Sequence, residues 1–411
     1  MFPENKNRPG TVSKLKHNQP REFMKIIAMK KISLIILCFC LIILFPLLAS
    51  ANDVTLVPSL RISGEYDDNV FFNSTDEVDD YLTIISPGLT FDYATELLNL
   101  QSLIVVDFLR YFDETELDTE NQRYDLNGRY QLASKWNIAG NFSYIKDTTL
   151  ESELEETGIV HLREDRKRYN AGGGLSYQMT ELTDLNFNYT HTATRYDSED
   201  NVDYDYDNFS LLCNRKLKNQ LDVLTVRTNY SIFDSDEEKT NNYELLFGWF
   251  HKFSETLDLN ASAGPRYTRQ NFNDDREDED SWGTTVDISL NKRGETSSAT
   301  IGYSRRIWNN ADGDLVETDR IYARAKQRII GRLGVGFVAG LYFTSQEDDS
   351  DNDDTRYYIL NPSLYYMLTE NHSIELAYSY QNELEESRPK DLESERNRIW
   401  IAFHFNFPRN W

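Results

Sequence analysis

Arg324, Lys326 and Arg328 place three cations at alternate positions of one short stretch, interleaved with Ile321, Ala323 and Ala325 on the other parity. Alternate side chains of an extended chain share a face. The three would therefore form a ladder of positive charge able to bind or steer an anion. The same period-2 reasoning turns Arg129, Arg168, Arg227, Arg266 and Arg293 to the polar side of their own stretches, against Asp107, Asp125, Asp258, Asp287 and Glu375. A wide water-filled passage lined by both signs would look similar, and charged rings do set ion preference in pores.

Other chemistry is sparse. Asp349, Asp351 and Asp353 open with the spacing of a calcium loop, but Asp354 stands where the turn glycine belongs and Leu360 where the bidentate glutamate belongs. Carboxylates of a solvated loop, sharing divalent cations with neighbouring lipopolysaccharide, are the better reading, and no metal site or cofactor is implied. Beyond residue 51 the histidines are His161, His191, His251, His372 and His404, scattered singly; G-x-S-x-G, H-E-x-x-H and C-x-x-C are absent. His161 beside Glu164 and Asp165 in a loop is a chance neighbour, and no enzyme is expected. Cys213 is the one cysteine beyond residue 51, so no disulfide framework exists there.

The elements that carry these residues repeat. From about Val54 onward the chain alternates apolar and polar residues over eighteen segments, for example Leu185, Phe187 and Tyr189 against Asn186, Asn188 and Thr190. The segments pair through very short links such as Ser134-Lys135-Trp136, Glu181-Leu182-Thr183, Glu255-Thr256, Glu295-Thr296 and Gly331, and the pairs are separated by long acidic links such as 113–122, 150–167, 197–206, 274–280 and 347–354. Short turns at one end and long charged loops at the other predict an all-β transmembrane antiparallel β-barrel of about 18 strands, with the short turns periplasmic and the acidic loops extracellular. A composition of 39% hydrophobic and 27% charged residues suits such a barrel, whose strands offer only alternate residues to lipid. A soluble β-sandwich would alternate too. It would not account for the long-short alternation together with the signals at the two ends of the chain.

At the first end, Ile32 to Leu48 is a 17-residue apolar run preceded by Lys25, Lys30 and Lys31 and followed by Ala49-Ser50-Ala51. Residues 1–51 are read as an N-terminal extension and a removable secretory signal peptide, started from Met1, Met24 or Met29, and residues 52–411 as the barrel. A membrane anchor would need a longer run than one broken at Pro46. Beyond residue 51 the chain has 35 basic against 66 acidic side chains, a net of −31, which argues against nucleic-acid binding. At the other end, Phe403, Phe405, Phe407 and Trp411 share one parity, while Trp400, Ala402 and His404 take the other. A last strand with alternate outward aromatics and an aromatic final residue resembles the signal read by the barrel-assembly machinery.

Pro58-Ser-Leu-Arg-Ile-Ser-Gly-Glu-Tyr-Asp-Asp-Asn-Val-Phe71 is followed by Ile85-Ser86-Pro87-Gly88-Leu89. This opening resembles the outer-membrane β-barrel porins found beside exopolysaccharide biosynthesis and exosortase loci. The resemblance covers about the first forty residues of the barrel and implies a role in exopolysaccharide export, with export components as partners; it supplies no catalytic residues. The expectation is a porin-like channel in the outer membrane of a Gram-negative bacterium, conducting a polymer or anionic solutes past Arg324, Lys326 and Arg328, with lipid and lipopolysaccharide around it. The alternatives are a non-conducting barrel whose acidic loops form an interaction surface and, more remotely, an outer-membrane hydrolase.

Overall fold

The computed structural model describes residues 53–410 apart from 151–153, 155–156, 159–162, 199–200, 274–275, 312, 347–353 and 387–390. The signal peptide expected over residues 1–51, Trp411, His161 and the Asp349, Asp351 and Asp353 triplet lie outside the described residues.

Eighteen long antiparallel strands follow one another around a closed sheet, from β1 (Asp53–Asp67) to β18 (Leu392–Asn406), each hydrogen-bonded to its sequence neighbour. Closure is made by β1 against β18, in register from Ser59 opposite Asn406 to Asp67 opposite Arg398. A closed sheet leaves no edge of unpaired peptide groups, which is the condition for crossing hydrocarbon with strands. The ladder is locally interrupted beside Pro87, Pro265 and Pro362, where no N–H is available to donate.

Alternation decides which side chains meet lipid. Ile321 and Ile329 on β14 (Leu315–Ile330), Leu224 and Val226 on β9 (Asp222–Ser235), and Phe247 and Trp249 on β10 (Glu238–Ser254) are exposed outward. Toward the loop end this outer face carries a ribbon of touching rings: Tyr189–Phe209 at 4.8 Å, Phe209–Tyr230 at 6.1 Å, Tyr230–Tyr243 at 4.9 Å, Tyr243–Tyr267 at 6.2 Å and Tyr267–Trp282 at 5.1 Å. Tyr66 and Tyr81, 4.9 Å apart, do the same on β1 and β2 (Asp80–Ala94). Trp136 stacked on Tyr177 at 4.3 Å marks the opposite, tight-turn end. Such rings sit where hydrocarbon gives way to headgroups.

The tight turns fall where the sequence places them, at 134–135, 181–182, 255–256 and 331–332. Gly331 turns with φ +50°, a left-handed conformation that a residue with a Cβ resists. Several boundaries differ from those the alternation predicts. Strands β4 (Thr119–Ala133) and β10 begin about five residues earlier than the alternation suggests, and β9 and β10 close at the loop end through only Asp236 and Glu237, with the Ser235 hydroxyl accepting from the N–H of Glu237 (3.3 Å) and Glu238 (3.1 Å). Beyond the aromatic ribbon both faces of these strands carry polar residues, buried at Glu238, Thr240 and Asn242, so no apolar–polar alternation remains to read. Similarly the last strand ends at Asn406, and after Pro408 only Arg409 and Asn410 resume pairing, with Leu56 and Thr55.

Candidate functional site

The lumen is shaped first by a segment that crosses it. Between β5 (Trp136–Thr148) and β6 (Asp165–Thr180) the chain is pinched at its base, where the Thr149 N–H donates to Glu164 O (2.9 Å) and the Glu164 N–H to the Thr149 hydroxyl (3.1 Å). It then projects inward. Gly158 N–H closes a helical turn on Leu154 O at 3.1 Å, and Leu150 and Leu154 bury against Phe72, Tyr342, Tyr357 and Ile359. Tyr342 is on β15 (Leu333–Gln346) and Tyr357 on β16 (Asp354–Met367); going round the barrel, β15 lies ten strands from β5 one way and eight the other. The segment therefore reaches the opposite wall. There the Thr157 carbonyl accepts from the hydroxyls of Thr318 (3.3 Å) and Thr344 (2.6 Å). Its returning leg is tied by Arg163, which donates to Val70 O (3.1 Å) and to the Tyr111 hydroxyl (2.7 Å).

Gly158, at φ +80°, is seated so closely on Tyr342 that a Cβ would lie 2.9 Å from the Tyr342 Cβ. Both the backbone angle and the space require glycine. Gly158→Val should loosen the far anchor and raise the noise and mean conductance of the open channel; a current trace identical to the wild type would show that this anchor does not hold the segment.

The basic ladder faces the same lumen. Arg324, Lys326 and Arg328 have the parity opposite to Ile321 and Ile329, and among the described residues none of the three is ion-paired. Their cross-strand neighbours are small: Thr300 and Ser298 on β13 (Ser297–Asn309), and Val338, Gly336 and Gly334 on β15. The glycines let side chains from the next strand lie flat against the wall. A Cβ on Gly334 would be 2.1 Å from the Tyr365 ring, and a Cβ on Gly336 would be 2.5 Å from the Ser363 hydroxyl. Tyr365 thereby comes under the Lys326 ammonium, 4.5 Å from its ring centre, a contact that holds the cation without neutralising it.

The remaining lumen cations separate by environment. Arg129 and Arg227 stand exposed on their strands, and among the described residues neither is ion-paired. Arg293 is tied to Asp258 at the turn end, and the Asn291 amide donates to the same carboxylate at 3.1 Å. Arg266 is only 1% exposed and does not line open water; it reaches Glu317 at 3.1 Å. Arg168 borders an inner cavity, Asp287 takes Arg306 at 2.6 Å, Asp125 takes Arg123 at 2.7 Å, and Glu375 takes His404 at 3.4 Å. That cavity, of 810 Å³, lies between Thr157 of the crossing segment and the inner wall, among them Arg227, Asn229, Asn242, Glu244 and Thr285.

Leu360, which stands where a calcium loop would place its bidentate glutamate, is an outward residue in mid-strand. Phe403 and Phe407 are exposed outward, beside Phe405 on the closing strand, at the end where the chain finishes. The crossing segment is what the sequence reading missed. Its signal was there: Leu150 and Leu154 at helical spacing inside an otherwise acidic link, ahead of a glycine.

Residues 53–166 match the family model described as "Putative beta-barrel porin 2". Among solved structures, the chain is similar to OccK2 (OpdF) of Pseudomonas aeruginosa, at 12% identity over 87% of this chain and 98% of that one, with a TM-score of 0.48. It is similar also to OccAB3 of Acinetobacter baumannii (10% identity, 87% and 100% covered, TM-score 0.47) and to a BenF-like porin of Pseudomonas fluorescens Pf-5 (9%, 87% and 99%, 0.47). Likeness at this level says nothing of cargo. No curated protein sequence matches the chain. The family match covers the first five strands, and the fold is a closed antiparallel β-barrel of eighteen strands.

Proposed function

We propose that this chain is a passive channel for small anionic solutes in the outer membrane of a Gram-negative bacterium, with its tight turns in the periplasm and its acidic loops outside. One observation carries the reading: a segment anchored on the far wall narrows an eighteen-strand bore, and the inner wall carries Arg227 in the cavity beside it and Arg324, Lys326 and Arg328 nearer the tight turns, none of the four ion-paired among the described residues. An eighteen-strand barrel is too wide for side chains to fill, so water occupies what the segment leaves. Unpaired cations in a confined aqueous path raise the local concentration of anions. An exopolysaccharide would have to lift Leu150 and Leu154 out of their apolar seat before it could pass, so the narrowed bore favours small solutes over a polymer.

Phe403, Phe405 and Phe407 with Trp411 are proposed as the segment read by the assembly machinery, and the loop carboxylates as the surface meeting lipopolysaccharide. Refolded protein in a planar bilayer tests the channel. A total lack of open-state conductance would sink the reading in favour of a non-conducting surface barrel. With conductance in hand, replacing Arg324, Lys326 and Arg328 by Gln should move the reversal potential in a salt gradient toward cation preference. An unchanged reversal potential would remove the ladder from the mechanism.

A further inference from the structure

The wall of the barrel is not sealed by hydrogen bonds everywhere. Strand β12 (Glu279–Arg293) and β13 pair only from Arg293 opposite Ser298 to Val286 opposite Arg305. Above that point β12 continues to Glu279 and β13 to Asn309, each bonded to its other neighbour, and no ladder joins them. The seam opens near the height of the outer aromatic ribbon, since Trp282 is on its β12 lip and touches Tyr267.

Side chains span the gap instead. Arg266 on β11 (Leu257–Phe272) shares the inward parity of Thr268, whereas Glu317 shares the outward parity of Ile321, yet the two meet at 3.1 Å. An inward cation can bond an outward carboxylate only by passing through the wall. Gly283 makes room, since a Cβ there would be 2.4 Å from the Arg266 Nη2. Glu317 also takes Arg305 at 3.1 Å, and Arg306 crosses to Asp287 at 2.6 Å. Ion pairs can exchange partners with water or a passing ligand, whereas a β-ladder in hydrocarbon cannot open without leaving peptide groups unsatisfied.

The inner side of the seam is hollow, and a groove approaches it along the outer face. Inside is the 810 Å³ cavity, whose lining reaches Thr285, Arg306 and Ile307 on the two lips. Outside, a groove of 650 Å³ runs along the lipid face of β8 (Tyr204–Lys216) to β11, between Phe209, Tyr230, Tyr243, Leu245 and Pro265, and reaches the β12 lip at Trp282. The inner end is rich in amides and hydroxyls and the outer end is aromatic and aliphatic.

We propose that the β12–β13 seam is a lateral port, through which an amphiphile with a single hydrocarbon tail passes between the lumen and the outer leaflet. Its polar head rests among the hydroxyls, amides and ion pairs of the inner cavity while its tail lies in the outer groove. This goes beyond solute conduction along the bore and does not depend on it.

The test locks the seam. If the register of Val286 and Arg305 is continued, Thr284 stands opposite Ile307, both on the outer parity. Thr284→Cys with Ile307→Cys, in a Cys213→Ser background, is refolded into phosphatidylcholine vesicles carrying a diazirine-bearing dodecanoate, and photolabelled residues are mapped by mass spectrometry. In the reduced protein the probe should attach to both the groove and the cavity, including Leu246, Ser262 and Thr285. Oxidation should abolish cavity labelling and leave the groove labelled. Cavity labelling that survives oxidation, or that is absent in both states, overturns the port. Asp287→Asn, which releases Arg306, should raise cavity labelling; no rise counts equally against it, and this variant decides the matter if the double variant does not refold. Conductance of the same samples reports on the axial channel separately.

Discussion

Replacing Leu150 and Leu154 together by aspartate is expected to raise single-channel conductance several-fold while leaving the barrel folded. Leu154 is fully buried and Leu150 nearly so, against Tyr342, Tyr357, Ile359 and Phe72. Burying two leucines contributes about 3–6 kcal/mol to seating the segment. A buried carboxylate without a partner would cost at least as much again in the opposite sense. A swing of about 5.5 kcal/mol already converts a two-state equilibrium from 1:99 to 99:1, so the segment should leave the bore. The strands are untouched, because both substitutions fall between β5 and β6 and neither lies in a strand. Planar-bilayer recording is the check. If the double variant conducts like the wild type, the crossing segment is not what limits the current.

Asp67→Asn is expected to lower unfolding stability by about 3–5 kcal/mol, read as a drop in the temperature at which the folded band is lost on a denaturing gel. Asp67 and Arg396 meet at the loop end of the β1–β18 seam, one residue beyond the Tyr66 ring, where Arg396 Nε donates to both carboxylate oxygens at 3.0 and 2.9 Å. Both side chains are buried. Burial works against the charge on Asp67, but the Arg396 guanidinium and its hydrogen bonds, with Arg398 and the Asn69 N–H (3.1 Å), outweigh it and hold the carboxyl below the usual aspartate range. The mutation leaves Arg396 buried without a counter-charge, hence the size of the effect. The sign of the pH dependence follows from the lowered value. Stabilisation is fully present above the ordinary aspartate pKa of 3.8 and is lost as pH falls through the lower folded-state value. Wild-type barrel should therefore lose a stability increment in acid that Asp67→Asn lacks, and parallel acid profiles for the two would remove the pair from the closure of the barrel.

Strand number and turn positions were legible because lipid on one side and water on the other force period-2 alternation. Where that contrast stops, so does the signal. Glu238 to Asn242 and Thr119 to Arg123 extend their strands with polar residues on both faces, buried at Glu238, Thr240, Asn242 and Asn121, and nothing in their polarity marks them as strand. Parity gives a side chain's face but not its fate: Arg227 stands in the cavity, while Arg266, on the same inward face, is buried in the wall. What separates them is Gly283 on the neighbouring strand and a break in the β12–β13 ladder, both of which depend on register across strands. The crossing of the bore by Leu150 and Leu154 is a contact with strands some two hundred residues further along, which alternation along one strand cannot encode.

The glycines of β15 couple the width of the bore to its charge. Because Tyr365 and Ser363 lie across Gly334 and Gly336, any larger residue at either position must first displace the neighbour that rests there. At Gly334 that neighbour is the ring beneath Lys326. A lineage that narrows this passage by a single substitution therefore also sets the lysine loose, and size selection and anion attraction cannot drift independently along this strip of wall.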